Sequence, residues 1–269
     1  MPYKKRGSSL EEIPEQELSY FEIQAYWGAT KHAGALKSTR ELIELCHIDK
    51  GRYVLEVGCG VGITSCYIAK TYDCRVIGVD ISEKMIDWSK ERAKGEGVEN
   101  RVEFRIADVQ NLPFENAIFD AVIGESVTAF LKDKQRGMSE YARVTKPKGY
   151  VGLNEMTWTK VSPPAELVEY YSRSTGARPE TLDGWKELLE GSGLKDIVVR
   201  TRNLDVLSDF IGNIKRLRSE DFSRSLYRLL SLSISSSAFR KYVRETLPPL
   251  KIIKDINEYL GYGIYVGRK

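Results

Sequence analysis

Alternating strand and helix patterns along the chain predict a doubly wound α/β fold with a largely parallel sheet. Short apolar runs that end in glycine or an acid alternate with longer stretches whose apolar residues recur at helical spacing. The clearest run covers residues 54–62 (VLEVGCGVG), where an apolar strand enters a glycine-dense turn just before an amphipathic stretch. Glycine lets the backbone turn sharply and approach a ligand, and the next helix offers unpaired N–H groups. This turn therefore predicts a nucleotide-type cofactor site.

The other elements follow in order along the chain. Residues 1–18 are charged and contain a proline, which predicts a mobile arm, and residues 20–48 combine an aromatic cluster with a helical pattern. Strands are predicted at 53–58, 75–80, 102–106, 119–124, 149–155 and 194–201, and helices at 62–72, 83–95, 134–146 and 181–190. Amphipathic helical stretches fill residues 205–258, and residues 262–269 alternate like a terminal strand.

Length and composition favour one domain with additions. The chain has 269 residues, and its 41 basic and 38 acidic residues nearly balance, so a nucleic-acid partner is not indicated. No run approaches ~18 apolar residues and the N-terminus lacks an apolar signal core, which predicts a cytoplasmic protein without stable membrane insertion. Four cysteines without a C-x-x-C pair and only two histidines predict reduced thiols and no metal site.

The spacing of the glycines argues against the dinucleotide fingerprint G-x-G-x-x-G. Counted from Gly58, the third glycine of that fingerprint would fall at Ile63. An NAD-dependent oxidoreductase shares the predicted sheet, so it remains an alternative of another class. A tight turn without a ligand and a non-catalytic nucleotide-binding module also stay open, because a single glycine-rich loop is not specific.

The pattern Glu56-x-Gly58-x-Gly60-x-Gly62 resembles motif I of the class I S-adenosylmethionine-dependent methyltransferases. Further motifs follow in that family's order, so that the resemblance covers about residues 50–155: VIGVD at 76–80, AD at 107–108, FDAVIG at 119–124 and RVTKPKGY at 143–150. The sequence of this last turn is similar to the corresponding turn in the small-molecule branch of the family, which includes the quinone and sterol methyltransferases.

This resemblance implies a Rossmann-like fold with seven mostly parallel strands, the last of them antiparallel. Residues 1–48 would form an N-terminal arm and helical cap, and residues 49–204 and 259–269 the cofactor-binding core. Residues 205–258 would form a helical insertion before the last strand, which serves as an acceptor lid or an oligomer surface. A homodimer is therefore one expected assembly.

The resemblance implies S-adenosylmethionine as the cofactor. Glu56 would support the loop and the amino group of the cofactor, while the loop contributes its backbone at Gly58, Cys59 and Gly60. Asp80 closes the second strand, where a carboxylate can accept both ribose hydroxyls. A helix N-cap is the alternative role for Asp80, although Ser82 is also available for capping.

The adenine side of the site is expected around the ends of strands two and three. Asp108, which follows Ala107 after strand three, would meet the exocyclic amine, with a plain loop aspartate as the alternative. The ring would lie between Ile81, Met85 and Val109, although Met85 is equally suited to the core.

Glu125, in ESVTAF directly after strand four, is the catalytic candidate. In the family this segment faces the sulfonium and the acceptor, so Glu125 would act as a base, orient the cofactor or satisfy local backbone donors. Aromatic rings gain from cation–π contact with a sulfonium, which makes Tyr20, Phe21 and Tyr26 candidate lid residues, with Tyr20 and Tyr26 as cofactor contacts. Other pocket candidates are Trp27, His32, Phe130, Glu155 and Trp158. The alternative is core packing for the aromatic residues and capping or packing for His32.

The expected acceptor is a small molecule. A carbon or oxygen atom of a lipid-like or aromatic compound is the first expectation, and the nitrogen of a small amine is the second. A nucleic-acid acceptor is not expected, because ESVTAF stands where amino-methylating nucleic-acid enzymes have an N/D-P-P-Y/F/W segment.

Overall fold

The computed structural model describes residues 20–27, 32–204, 211–213, 215 and 219–269. Its helices are α1 Tyr20–Trp27, α2 Ala35–Leu45, α3 Ile63–Tyr72, α4 Glu83–Glu96, α5 Lys134–Val144, α6 Ala165–Thr175, α7 Leu182–Gly191, α8 Ser219–Ser235, α9 Ser237–Thr246 and α10 Leu250–Tyr259. Its strands are β1 Tyr53–Val57, β2 Arg75–Asp80, β3 Val102–Ile106, β4 Phe119–Glu125, β5 Thr145–Trp158, β6 Glu180–Thr181, β7 Lys195–Asn203 and β8 Leu260–Arg268. The predicted arm at 1–18 and the side chains of Tyr26 and Trp27 lie outside the described residues.

The strands form one sheet in the order β3-β2-β1-β4-β5-β8-β7. The first five strands of this order run parallel, and β8 runs antiparallel to both β5 and β7. This confirms the predicted Rossmann-like sheet of seven mostly parallel strands with an antiparallel terminal strand. The sequence did not predict β6, whose two residues pair with the end of β5, because two residues are too few to show a periodic pattern.

Helices cover both faces of the sheet, as strand alternation requires when both faces are buried. In β1, the side chains of Leu55 and Val57 join the core that contains α5 and α7. Val54, one residue away, joins the opposite core with residues of α2, α3 and α4. The chain is therefore doubly wound around a sheet whose strand ends define the candidate site.

Several element boundaries differ from the prediction, and two of the differences have a clear physical reason. Helix α5 ends at Val144 rather than at 146, because Lys146 precedes Pro147 and the residue before a proline disfavours the helical region. Strand β5 extends to Trp158 rather than to 155, because the antiparallel partner β8 pairs with it over Tyr150–Trp158.

Between β7 and β8, the described residues include the helices α8, α9 and α10, in the region where helical stretches were predicted. Helix α8 packs against α1 and also contacts α4. No helix in the described part of the chain combines the length and the apolar character needed to span a membrane. The four cysteines are buried free thiols.

Candidate active site

The glycine-rich loop between β1 and α3 adopts a conformation that requires glycine. Gly58, Gly60 and Gly62 have φ angles of 61°, 51° and 74°, in the left-handed region that side chains disfavour. At Gly58 a Cβ atom would also lie 2.2 Å from Cγ2 of Val127, in the segment that follows β4. The loop thus packs directly against this segment.

Glu56 supports this loop from the core side. The residue is 4% exposed, and the hydroxyl of Ser65 in α3 donates a hydrogen bond to its Oε2. The carboxylate therefore joins the end of β1 to the helix that follows the loop. Contact of Glu56 with the amino group of the cofactor stays a prediction.

Asp80 ties the glycine loop to the start of α4. Its Oδ2 accepts the N–H of Gly60 at 2.9 Å, and its Oδ1 accepts the N–H of Ser82 at 2.9 Å. Burial raises the pKa of the Asp80 carboxyl above its usual range, and the backbone N–H groups of Ser82, Gly60 and Ile81 oppose that rise. Ser82 caps α4, since its hydroxyl accepts the N–H of Met85 at 3.4 Å, so the N-cap role belongs to Ser82.

The residues expected around adenine differ in their exposure. Ile81 is 74% exposed directly after Asp80, and Asp108 is also exposed. Oδ1 of Asp108 accepts the N–H of Gln110 at 2.8 Å, which leaves its other oxygen toward solvent. A large apolar side chain beside two carboxylates suits the flat face and polar edge of a nucleobase.

The other residues predicted at the adenine are buried. Ala107 and Val109 belong to one core cluster of the sheet, and Met85 packs with Ala25 of α1 and Val61 of the glycine loop. The structure therefore gives Met85 the core position that the sequence left open. Contact between adenine and these three residues stays a prediction.

Glu125, at the end of β4, is the centre of a buried polar cluster. Thr39 Oγ1 of α2 donates to Oε2 at 3.0 Å, and Thr64 Oγ1 of α3 donates to Oε1 at 2.8 Å. Asn154 Nδ2 of β5 donates to Oε2 at 3.3 Å, and Nε2 of His32 lies 3.4 Å from the same oxygen. The His32 and Glu125 side chains are 8% and 4% exposed. We call these five residues the Glu125 cluster.

His32 has an acceptor near each ring nitrogen. Nδ1 lies 3.1 Å from the carbonyl oxygen of Ala33, and Nε2 lies beside the carboxylate of Glu125. Nδ1 also lies 3.2 Å from the amide nitrogen of Asn154, and Nε2 lies 3.2 Å from the hydroxyl of Thr39. The pair joins the segment that precedes α2 to the end of β4.

Aromatic side chains gather beside the segment that follows β4. The rings of Tyr20 and Phe130 stack with centroids 6.1 Å apart, and Phe21 meets Phe130 edge-on at 4.7 Å. Burial raises the pKa of Tyr20 to about 12, and Tyr242 of α9 adds to that rise. Helix α1 therefore brings two rings over Phe130, in the region where a lid was predicted. We call Tyr20, Phe21 and Phe130 the aromatic cluster.

Comparison with known proteins identifies the fold and its motifs. Residues 55–153 match the family described as a methyltransferase domain. Residues 55–153 therefore form a methyltransferase domain. Its cofactor is S-adenosylmethionine, as the order of the motifs predicted, and the oxidoreductase alternative has no support among the relatives found.

Two relatives of this chain are named as methyltransferases. Phosphoethanolamine N-methyltransferase 1 of Arabidopsis thaliana is 28% identical over 200 residues, which make up 72% of this chain and 40% of that protein. Methyltransferase GfsG of Streptomyces halstedii is 30% identical over 161 residues, 59% of this chain and 58% of that protein. The chain thus spans only about 40% of the length of the first of these relatives.

The fold extends beyond the matched domain. The [4+2]-cyclase SpnF aligns with a TM-score of 0.73 at 18% identity, over 94% of this chain and 97% of that chain. Phosphoethanolamine N-methyltransferase 2 of Haemonchus contortus, in complex with S-adenosylmethionine, aligns with a TM-score of 0.72 at 20% identity, over 93% of this chain and 57% of that chain. Since one of these two proteins is named as a cyclase, the fold alone does not determine the reaction.

The residues of the methyltransferase domain fit S-adenosylmethionine. The site offers a carboxylate at the end of β2, a glycine loop crowded against Val127, and an exposed apolar side chain at Ile81. These features suit a ribose, the sulfonium chain and a nucleobase, respectively. The individual contacts remain predictions.

Sequence reasoning missed three members of the Glu125 cluster. Thr39, Thr64 and Asn154 come from three different elements, and no local pattern joins them. Asn154 carried the one usable signal, because an amide within the apolar run of β5 must find partners when it is fully buried.

Glu155, a pocket candidate from the sequence, holds the segment after β4. It is fully buried, and its Oε1 accepts the N–H groups of Val127 at 2.9 Å and Thr128 at 2.6 Å. Burial raises the pKa of Glu155 to about 7, and these backbone N–H groups oppose that rise. Glu155 therefore fixes the segment that packs on the glycine loop of the methyltransferase domain.

Glu155 makes the stability of the chain depend on pH. Because its pKa is higher in the folded state than in the unfolded state, the folded state binds the proton more tightly. This contribution is complete below the unfolded pKa and is lost as pH rises through about 7. We expect the titration of Glu155 to lower the free energy of unfolding by roughly 2 kcal/mol as pH rises from about 5 to about 8.

Urea denaturation of the wild type and of Glu155→Gln at both pH values measures this effect. The difference in free energy of unfolding between the two proteins is expected to change with pH by that amount. An exposed control, Glu115→Gln, should show no such change. Equal pH dependence in the wild type and Glu155→Gln would contradict the prediction.

Proposed function

We propose that this chain transfers a methyl group from S-adenosylmethionine to the nitrogen of a small amine. The observation that carries the proposal is the aromatic cluster beside the segment that follows β4. A nitrogen that attacks the methyl group acquires positive charge in the transition state, and aromatic faces attract such a charge. The buried carboxyl group of Glu155, which holds the segment that follows β4 through the N–H groups of Val127 and Thr128, adds negative charge above its pKa.

When bound, S-adenosylmethionine supplies an already activated methyl group. The task of the protein is therefore to hold and align two reactants and to exclude water. The glycine loop and Asp80 would hold the cofactor, and the aromatic cluster would cover the acceptor. The amine would attack as its neutral form, since only a lone pair can attack the methyl group.

We assign Glu125 an orienting role rather than that of a base. Both of its oxygens already accept hydrogen bonds from side chains, and its side chain is almost fully buried. Through Thr64 it contacts the helix that follows the glycine loop, and through His32 it contacts the segment that precedes α2. Glu125 can thus hold α3 and the segment that precedes α2 in fixed positions relative to each other. We call these two elements the walls of the cofactor site.

The names of relatives support an amine acceptor. The Arabidopsis relative is a phosphoethanolamine N-methyltransferase, and norajmaline N-methyltransferase of Rauvolfia serpentina is 31% identical over 120 residues. Both names state transfer to nitrogen. Because this chain covers less than half of each of these proteins, their particular substrates are not assigned to it.

A lipid-like or aromatic acceptor, the first expectation from the sequence, is the second candidate. Helix α8 carries a stripe of large apolar residues at a spacing of four, each at least 39% exposed: Phe222, Leu226, Leu230 and Ile234. Such a stripe on one helix face suits a hydrophobic ligand or partner. A cytoplasmic location and a homodimer likewise remain predictions.

The proposal is tested by incubating the purified chain with S-adenosylmethionine and one acceptor at a time. The acceptors are ethanolamine, phosphoethanolamine, a simple phenol and a long-chain quinol, and the readouts are S-adenosylhomocysteine and the mass of the product. We expect turnover with an amine and none with the phenol or the quinol. Turnover with the phenol or the quinol alone would support the second candidate, and no turnover with any acceptor would favour a non-catalytic module.

Paired variants test the aromatic cluster. Phe130→Leu should raise the KM for the amine about tenfold, because it removes a ring that stabilises positive charge. Phe222→Leu, on the exposed face of α8, should leave this KM unchanged. Equal KM values for Phe130→Leu and the wild type would contradict the amine proposal.

A further inference from the structure

Arg92 of α4 is a buried cation that touches two distant parts of the chain. It is 4% exposed, and its Nε donates to the carbonyl oxygen of Val61 at 2.9 Å. Its Nη2 donates to Oδ2 of Asp221 at 2.9 Å, and its Nη1 lies 3.3 Å from Glu96 of the same helix. Asp221 is itself well buried, with a side chain 11% exposed.

The two outer contacts of Arg92 join different functional regions. Val61 lies within the glycine loop, between Gly60 and Gly62, and Asp221 lies in the first turn of α8. A guanidinium is planar and donates from fixed directions, so a shift of the Val61 carbonyl changes the geometry offered to Asp221. Because the pair is buried, salt screens it little, and a misaligned partner leaves an uncompensated charge.

Other contacts show that α4 packs against both α1 and α8. The guanidinium of Arg228 in α8 lies 4.2 Å from the ring centroid of Trp88, whose Nε1 donates to the carbonyl oxygen of Ala25 in α1 at 3.2 Å. A second ion pair between α4 and α8, Glu91 with Arg224 at 3.7 Å, lies at the surface with side chains 67% and 46% exposed.

We propose that Arg92 is a positioning residue that couples occupancy of the glycine loop by the cofactor to the docking of α8. Cofactor binding fixes the Val61 carbonyl, this aligns Arg92, and Arg92 then holds Asp221 and the first turn of α8. By linkage, a well-docked α8 strengthens cofactor binding by the same factor. The inference rests on S-adenosylmethionine as the cofactor and is independent of the amine acceptor.

Hydrogen exchange of the full chain, with and without S-adenosylhomocysteine, tests this coupling. In the wild type we expect slower exchange on ligand binding both in residues 58–62 and in the remote helix α8. In Asp221→Asn, protection at 58–62 should persist while ligand-dependent protection of α8 is lost, and affinity for S-adenosylhomocysteine should fall about fivefold. Arg92→Lys keeps the positive charge but has a single donor group, so it should lose the same α8 response.

The matched control is Glu91→Gln, which removes an ion pair between the same two helices at the surface. It should keep the ligand-dependent protection of α8 seen in the wild type. Full α8 protection in both Asp221→Asn and Arg92→Lys, or loss of protection in Glu91→Gln as well, would overturn the proposal. Wild-type protection at 58–62 without any change in α8 would overturn it while leaving the cofactor site intact, and no protection at 58–62 would overturn both.

Discussion

Asp80→Ala is expected to weaken binding of S-adenosylhomocysteine about 100-fold, equivalent to ~2.7 kcal/mol, while the sheet remains folded. The carboxylate lies at the end of β2, where it would accept both ribose hydroxyls in charge-assisted hydrogen bonds. It also holds the N–H groups of Gly60 and Ser82, so its loss loosens the glycine loop that binds the rest of the cofactor. Isothermal titration measures the affinity, and circular dichroism verifies the fold.

Glu103→Gln is the matched control for this variant. Glu103 lies on β3, is exposed, and pairs with Arg105 of the same strand. Its replacement should leave affinity unchanged. If Asp80→Ala binds S-adenosylhomocysteine as tightly as Glu103→Gln does, the assignment of Asp80 to the ribose is wrong.

Glu125→Gln is expected to lower the free energy of unfolding by about 3 kcal/mol and to weaken S-adenosylhomocysteine binding about 30-fold. The amide keeps one acceptor oxygen, but its NH₂ group faces side chains that now donate to the carboxylate. A neutral side chain also leaves His32 without its charged partner in a buried site. The walls of the cofactor site should therefore be held less firmly.

The split between binding and turnover separates the roles left open by the sequence. An orienting role predicts weaker cofactor binding together with a modest fall in kcat at saturating cofactor. A base predicts unchanged affinity with collapse of kcat. Glu115→Gln, an exposed carboxylate before β4, is the control for the change in charge and should resemble the wild type in each measurement.

The sequence was most informative where local chemistry determines the structure. Three glycines in one loop predicted a tight turn, and all three have the left-handed backbone that favours glycine. Asp80 was predicted at a strand end because an acid directly follows a short apolar run, and the structure places it there. The order of strands and helices followed from the same alternation of patterns.

Contacts between distant elements could not be predicted in this way. Thr39 is 86 residues from Glu125, and Arg92 is 129 residues from Asp221, so each pair depends on how whole helices pack. The chemistry of a single residue indicates that a buried charge needs a partner, but it does not indicate which residue supplies that partner. The same limit applies to Met85, whose apolar side chain suited either a ligand or the core until α1 was placed against it.

Titration of the purified wild-type chain with S-adenosylmethionine, S-adenosylhomocysteine, NAD and ATP tests the central claim most directly. The geometry of the glycine loop, Asp80 and the Glu125 cluster predicts dissociation constants on the order of micromolar for the first two ligands and no binding of NAD or ATP. Binding of NAD in place of S-adenosylmethionine, or no binding of any of the four ligands, would contradict the assignment of this site.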